Sequence, residues 1–129
     1  MVINMWQVEK SITFPAAHFL YGVQGLDSEV HGHNFVVSVK ICGERLVRSG
    51  VIIEGRDIDR MFRNVIGSFI SSLINRTAPF DSVSPTLENL SRYIFEGFDE
   101  CLKSFSGISV SSVSVSDGEE KVTYILVDK

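Results

Sequence analysis

The chain is short of cysteine, histidine, proline and tryptophan, with two, three, three and one of each among its 129 residues. The two, Cys42 and Cys101, lie far apart in sequence, so the chain lacks the clustered cysteines of a structural zinc site. Cys42 and Cys101 each fall in a stretch with apolar periodicity, which marks them as core residues, not a disulfide or a nucleophile. No apolar run reaches the ~18 residues that span a bilayer. The amino-terminal stretch Met-Val-Ile-Asn-Met-Trp-Gln-Val-Glu-Lys lacks the basic and apolar regions of a secretory signal. A cytoplasmic protein with no membrane partner is expected.

Positive charge is also in short supply. Twelve basic residues face sixteen acidic ones, a net charge of -4, and no basic stripe is present. That balance argues against nucleic acid as a partner. Hydrophobic residues at 44% and charged residues at 22% are ordinary for a globular protein, and the length suits one domain spanning 1–129.

With so few histidines, their positions carry information. From Val30 to Cys42 the odd positions are His31, His33, Phe35, Val37, Val39 and Ile41, and the even ones are mostly small or polar. Side chains alternate across a strand, so the two histidines share the face that the apolar residues bury. An earlier run, from roughly Met5 to Ala17, puts Trp6, Val8, Ile12, Phe14, Ala16 and the adjoining His18 on one face. Pro15 suggests an edge strand or a bulge there, because proline cannot donate to a ladder. If the two runs pair antiparallel through the loop Leu20 to Val30, all three imidazoles converge. Three imidazoles with a fourth position open to water or substrate form the ligand set of a catalytic Zn²⁺ site.

The period changes after a turn at Ser49-Gly50 and a short apolar run. Ile58, Met61, Phe62, Val65, Ile66, Phe69 and Leu73 recur at helical steps, predicting one helix from about Arg56 to Ile74. After a loop over Asn75 to Val83, Ser84 as N-cap and Pro85 at the first position open a second helix, with Glu88 in its first turn and a stripe of Leu87, Leu90, Ile94, Phe98 and Leu102. Ile108 to Asp117 alternates again, Gly118-Glu119-Glu120 turns, and Val122 to Val127 returns. The order ββααββ predicts an α+β layer: a four-stranded antiparallel sheet with both helices on one face.

Four segments, Phe14-Pro15-Ala16-Ala17-His18, His31-Gly32-His33-Asn34-Phe35-Val36-Val37, Gly50-Val51-Ile52-Ile53-Glu54 and Pro85-Thr86-Leu87-Glu88-Asn89-Leu90, follow in order along nearly the whole chain. In this the chain resembles the 6-pyruvoyl-tetrahydropterin synthase and 6-carboxy-tetrahydropterin synthase family. The resemblance implies a tunnelling fold whose sheets join into a trimeric barrel, two trimers stacking into a homohexamer. It also implies a zinc-dependent lyase acting on 7,8-dihydroneopterin triphosphate or a related pterin. His18, His31 and His33 would hold the metal. Thr86, Glu88 and Asp117 would anchor the pterin, Asp117 standing where the family has a strand-end glutamate.

Two departures accompany the match. In the pattern Cys-x-x-x-His-Gly-His the cysteine position is held by Asp27, and the family's Leu-Asp-His-His-x-Leu-Asn segment aligns with Phe69-Ile70-Ser71-Ser72-Leu73-Ile74-Asn75. The cysteine, aspartate and histidine of the usual proton-transfer triad are therefore absent. Some relatives instead place a glutamate near the cysteine position and cleave the side chain, which makes Asp27 and Glu29 the candidate catalytic carboxylates. Each site residue also has a plainer use: a solvated loop charge for Asp27 and Glu29, a helix-start charge for Glu88, a turn residue for Asp117. Two other readings stay open. One is a catalytically silent protein that binds zinc and a pterin or purine. The other is a zinc that only stabilises the fold, with Asp27 or Glu29 as a fourth ligand.

Overall fold

The computed structural model describes residues 4–127. Two strands, β1 (Trp6–His18) and β2 (His31–Gly43), are followed by two helices, α1 (Gly55–Ile66) and α2 (Leu87–Leu102), and then by β3 (Ile108–Ser116) and β4 (Lys121–Ile125). The strands form one sheet in the order β1-β2-β3-β4, each pair antiparallel. This is the ββααββ arrangement that the alternation and helical stripes predict. No described helix is long and apolar enough to cross a membrane.

Period-two patterning decides which face of the sheet is covered. Phe35, Val37, Val39 and Ile41 of β2 are inaccessible to solvent. In register they oppose Phe14, Ile12, Lys10 and Val8 of β1, and Val37 and Val39 also oppose Val115 and Val113 of β3. From α1, Ile58, Met61, Phe62, Val65 and Ile66 close over this face. Leu87, Leu90, Ile94, Phe95, Phe98 and Leu102 of α2 join them in one core. Each such side chain contributes about 1.5–3 kcal/mol by leaving water. The opposite face is polar: Ser38 donates to Glu9 at 2.6 Å and Ser11 donates to Ser38 at 3.0 Å.

The first helix is shorter than its stripe suggests. It stops at Ile66, and two 3-10 turns, Gly67–Phe69 and Ile74–Arg76, take over, with Ser71 at φ 56 between them. Phe69 and Ile74 are still fully buried. Phe69 keeps the place in the core that a continued helix would have given it, while Ile74 takes the buried place expected of Leu73, a one-residue shift too small for periodicity to show the break. The second helix starts later than expected. Thr86, not Ser84, is its N-cap, with Oγ1 accepting from the Asn89 amide at 3.1 Å. The Ser84 hydroxyl oxygen is engaged elsewhere, accepting from the Tyr21 amide at 2.9 Å and so tying the β1–β2 loop to the start of α2. Two burial expectations are also corrected. Cys42 and Cys101 are half-buried, and Trp6 is exposed because it lies at the end of an edge strand.

Pro15 is on that edge, as the missing N–H requires. Its carbonyl accepts from the Ser71 amide at 2.7 Å, and the Ala17 amide donates to the Ser72 carbonyl at 2.9 Å. A parallel bridge pairs Ala17 with Leu73. The segment after α1 thus covers the histidine end of the β1 edge, and its path brings Asn75 to Phe19, whose amide and carbonyl both bond the Asn75 side chain.

Where the helices touch, Gly97 leaves room for Val65. A Cβ on Gly97 would lie 2.8 Å and 2.9 Å from the two Val65 methyl carbons. Valine has little χ1 freedom in a helix, so the clash cannot be relieved by rotation. Overpacking of this kind costs about 1–3 kcal/mol, offset in part by the ~1 kcal/mol by which alanine favours helix over glycine. Gly97→Ala is therefore expected to lower the urea midpoint, and adding Val65→Ala is expected to restore part of the loss.

Candidate metal centre

The register of β1 on β2 builds the site. His18 lies directly opposite His31, and Ala16 opposite His33, so the three imidazoles meet at one end of the sheet. Each offers a ligand atom, and these atoms all lie within 4.8 Å of one another. The ring centroids are 4.5, 5.3 and 4.9 Å apart for His18–His31, His18–His33 and His31–His33. Beneath them Phe35 stands edge-on to both His18, at 5.2 Å, and His33, at 5.4 Å.

Backbone carbonyls orient two of the rings. His18 Nδ1 is 2.9 Å from the Pro85 carbonyl, and His31 Nδ1 is 2.7 Å from the Glu29 carbonyl. In each neutral ring Nδ1–H donates to the carbonyl, which leaves the Nε2 lone pair free for a metal. The donor chemistry therefore fits a divalent ion of the zinc type. Among the described residues no carboxylate joins this cluster.

Burial holds His18 below its ordinary value of 6.5. The Pro85 carbonyl pulls it back up, while His31 and His33 push it further down. The unfolded chain binds the His18 proton more readily than the folded chain does. His18's contribution to folding is thus complete above 6.5 and is lost as pH falls through its lowered value. In the metal-free protein the urea midpoint is expected to fall as the medium is acidified below 6.5, and the fall should shrink in His18→Gln. An equal fall in both proteins would refute this.

A cavity of about 470 Å³ opens over the histidines, and all five of the other sequence-predicted residues, Asp27, Glu29, Thr86, Glu88 and Asp117, line it. Asp27 is in a short 3-10 turn, Gly25–Ser28, that the Leu20 amide closes by donating to the Asp27 carbonyl at 2.8 Å. Glu29 follows, its backbone already committed to His31. Thr86 and Glu88 come from the start of α2, where the Thr86 hydroxyl oxygen is occupied by capping.

Asp117 fulfils the plainer use foreseen for it. Its Oδ1 accepts from the amides of Glu119 and Glu120, both at 2.9 Å, and shapes the β3–β4 turn, where Gly118 has φ 98. Burial works to raise its pKa, but the Glu120 and Glu119 amides and the nearby His33 together hold it below the ordinary 3.8. Sequence reasoning missed Glu119 and Glu120 as wall residues. They read as turn residues, and only the hairpin's position beside the α2 start brings them to the cavity.

The two serines that align with the histidines of the Leu-Asp-His-His segment are elsewhere. Ser71 and Ser72 line a second, more open cavity of about 670 Å³ with Asn34 and Arg76, and His33 is the one residue common to both cavities.

A four-stranded antiparallel sheet backed by two helices in this order is the tunnelling fold. The family profile for 6-pyruvoyl tetrahydropterin synthase matches residues 7–127, and the chain belongs to that family. An Archaeoglobus fulgidus protein assigned as a 6-carboxy-5,6,7,8-tetrahydropterin synthase is 32% identical over 111 residues, covering 86% of this chain and 87% of that protein. The fold matches that of 6-pyruvoyl tetrahydropterin synthase from Caenorhabditis elegans with a TM-score of 0.81, at 22% identity, over 97% of this chain and 98% of the other. The Plasmodium vivax 6-pyruvoyltetrahydropterin synthase matches with a TM-score of 0.68, at 19% identity, over 94% and 97%. Two further structures of that Plasmodium enzyme carry alanine or cysteine in place of a catalytic glutamate.

Proposed function

We propose that this protein is a zinc-dependent lyase that processes the side chain of 7,8-dihydroneopterin triphosphate or a related pterin. Family membership supports pterin-processing, synthase-like chemistry, and the observation that carries the finer reading is the convergence of three histidine ligand atoms within 4.8 Å. Zinc, when held by His18, His31 and His33, supplies a Lewis acid that lowers the pKa of a substrate hydroxyl. The remaining roles belong to the chain's own carboxylates. Glu88 can accept two hydrogen bonds from the guanidine-like edge of a pterin, which fixes the ring in one orientation. Asp117, held anionic by its turn, faces the same cavity as a further acceptor. Asp27 or Glu29 takes the proton from the side-chain hydroxyl, acting as general base in the cavity where the family's cysteine is missing. The catalytic glutamate of the Plasmodium enzyme is a precedent for a catalytic carboxylate within the family.

Assembly follows the same reading: a homohexamer of two trimers, in which neighbouring sheets join through their edge strands. Both β1 and β4 are edges in the single chain, and unpaired edges are a liability that barrel closure removes.

A second reading has its own support. The segment from Phe69 to Asn75 offers neither carboxylate nor imidazole, which supports a metal-bearing binder without a relay. One experiment separates the two. Zinc-loaded protein is incubated with dihydroneopterin and with its triphosphate, products are followed by mass, and His31→Ala serves as control. Turnover by the wild type alone is expected, abolished by either Asp27→Ala or Glu29→Ala with zinc still bound. Unchanged turnover in both variants would remove the carboxylate base. Absence of turnover with pterin binding retained would establish the binder.

A further inference from the structure

One peptide unit connects the start of α2 to the histidine cluster. Its carbonyl, that of Pro85, faces His18 Nδ1 at 2.9 Å, and its N–H, that of Thr86, donates to the Ser84 carbonyl at 2.9 Å. The second bond closes a three-residue turn centred on Pro85, whose ring holds φ near about −65°, close to what an inverse γ-turn requires. The unit is planar and trans, so its N–H and C=O point opposite ways. Fixing the amide on Ser84 therefore aims the carbonyl at His18. The ring of His31 bonds to a carbonyl two residues away, whereas the His18 contact spans 67 residues, so its geometry is set by where α2 begins.

The Ser84 carbonyl is held from inside the helix. Asn89 Nδ2 donates to it at 2.9 Å, while the Asn89 amide donates to the capping oxygen of Thr86. The Thr86 cap serves the helix, and the Asn89 side chain serves the turn that precedes it. The Tyr21 amide, donating to the Ser84 hydroxyl oxygen, fastens the same residue from the β1–β2 loop. All these bonds are internal to one chain and do not depend on how copies assemble. Asn89 itself lines neither of the two cavities that meet at His33.

We propose that Asn89 is a positioning residue of the metal centre: through the Ser84 carbonyl and the Pro85–Thr86 peptide it sets the tautomer and tilt of the His18 ring, which presents Nε2 to the ion. The proposal rests on the three-histidine metal reading above and adds to it a residue that touches neither metal nor substrate.

Asn89→Asp tests it in the full-length chain. The change removes both side-chain donors, keeps the shape, and puts a carboxylate in the first turn of α2, where the helix dipole favours one. On charge alone a carboxylate there favours a nearby cation, so weaker metal binding reports lost orientation. Ser91→Ala is the structural control, because the Ser91 hydroxyl donates to the Glu88 carbonyl within the helix. Zinc affinity, read by competition against a chromophoric chelator, is expected to fall about tenfold in Asn89→Asp, the lower end of what losing an outer partner of a ligand costs, and to hold in Ser91→Ala. The visible bands of the Co²⁺-loaded protein should shift in Asn89→Asp alone. In the metal-free wild type, long-range ¹H–¹⁵N spectra should show His18 as the Nδ1–H tautomer, and Asn89→Asp should show a mixture. Should the aspartate variant fail to fold, Asn89→Ala takes its place. Wild-type affinity and bands in the Asn89 variant, equal losses in Ser91→Ala, or an Nε2–H tautomer in the wild type itself would overturn the positioning role and leave the metal reading standing. A wild type that takes up neither ion would overturn both.

Discussion

His31→Ala is expected to yield a folded protein that takes up zinc far more weakly than the wild type does. The side chain is half-buried at the start of β2, its backbone stays paired with His18, and no core contact is removed, so the urea midpoint of the metal-free protein should stay close to wild type. Metal affinity should fall by at least ~100-fold, since removing even a group that only orients a ligand costs up to about that much. Competition against a chromophoric chelator reads the affinity directly. A variant that holds zinc as tightly as wild type would remove His31 from the site. The companion change His18→Ala is expected to cost stability as well. It strips the partner from the Pro85 carbonyl in a buried setting, a loss of about 1–3 kcal/mol.

Phe35→Ala carries the largest expected effect on folding. Phe35 is fully buried in the central part of the sheet, stacked on Phe14 at 5.8 Å and edge-on to His18 and His33. Truncating such a side chain costs about 3–5 kcal/mol, from lost burial and from the cavity left behind. That is a large share of the 5–15 kcal/mol by which domains are stable. The rings above it would also lose the floor that sets their tilt, so zinc affinity should fall although no ligand has been touched. Phe35→Leu separates the two effects, restoring most of the volume without the flat edge-on surface. Its stability should recover further than its zinc affinity, and parallel recovery of both would show that Phe35 supports the metal site by volume alone.

Those two residues show why the site was legible in the sequence. His31, His33 and Phe35 share a face by simple alternation, and His18 ends a second alternating run, so strand periodicity alone placed four of the groups that matter. The fold followed from the same patterns, because strands of alternating burial and amphipathic helices leave few layered solutions. What the sequence hid were features set by distant contacts. The break in α1 was masked because Phe69 stays in the core through the first turn and the second shifts burial by only one residue, from Leu73 to Ile74. Thr86 took the cap from Ser84 because Tyr21, 63 residues earlier, claims the Ser84 hydroxyl. Glu119 and Glu120 joined the cavity only through the placement of a hairpin at the other end of the chain.

The covering of β1 by Ser71, Ser72 and Leu73 has a consequence for how another strand could add to this sheet. The bonds from Pro15 and Ala17 to that segment act as a buffer stop on an otherwise open rail. A strand arriving at the β1 edge can pair along the stretch before Pro15 and can travel no further toward the histidines. Sliding by a pair of residues, the usual way in which edge pairing loses its register, is blocked in one direction by backbone that is already satisfied. The stop lies between the open stretch of this edge and the histidines, so a strand added there and a ligand entering the cavity would not compete for the same length of chain.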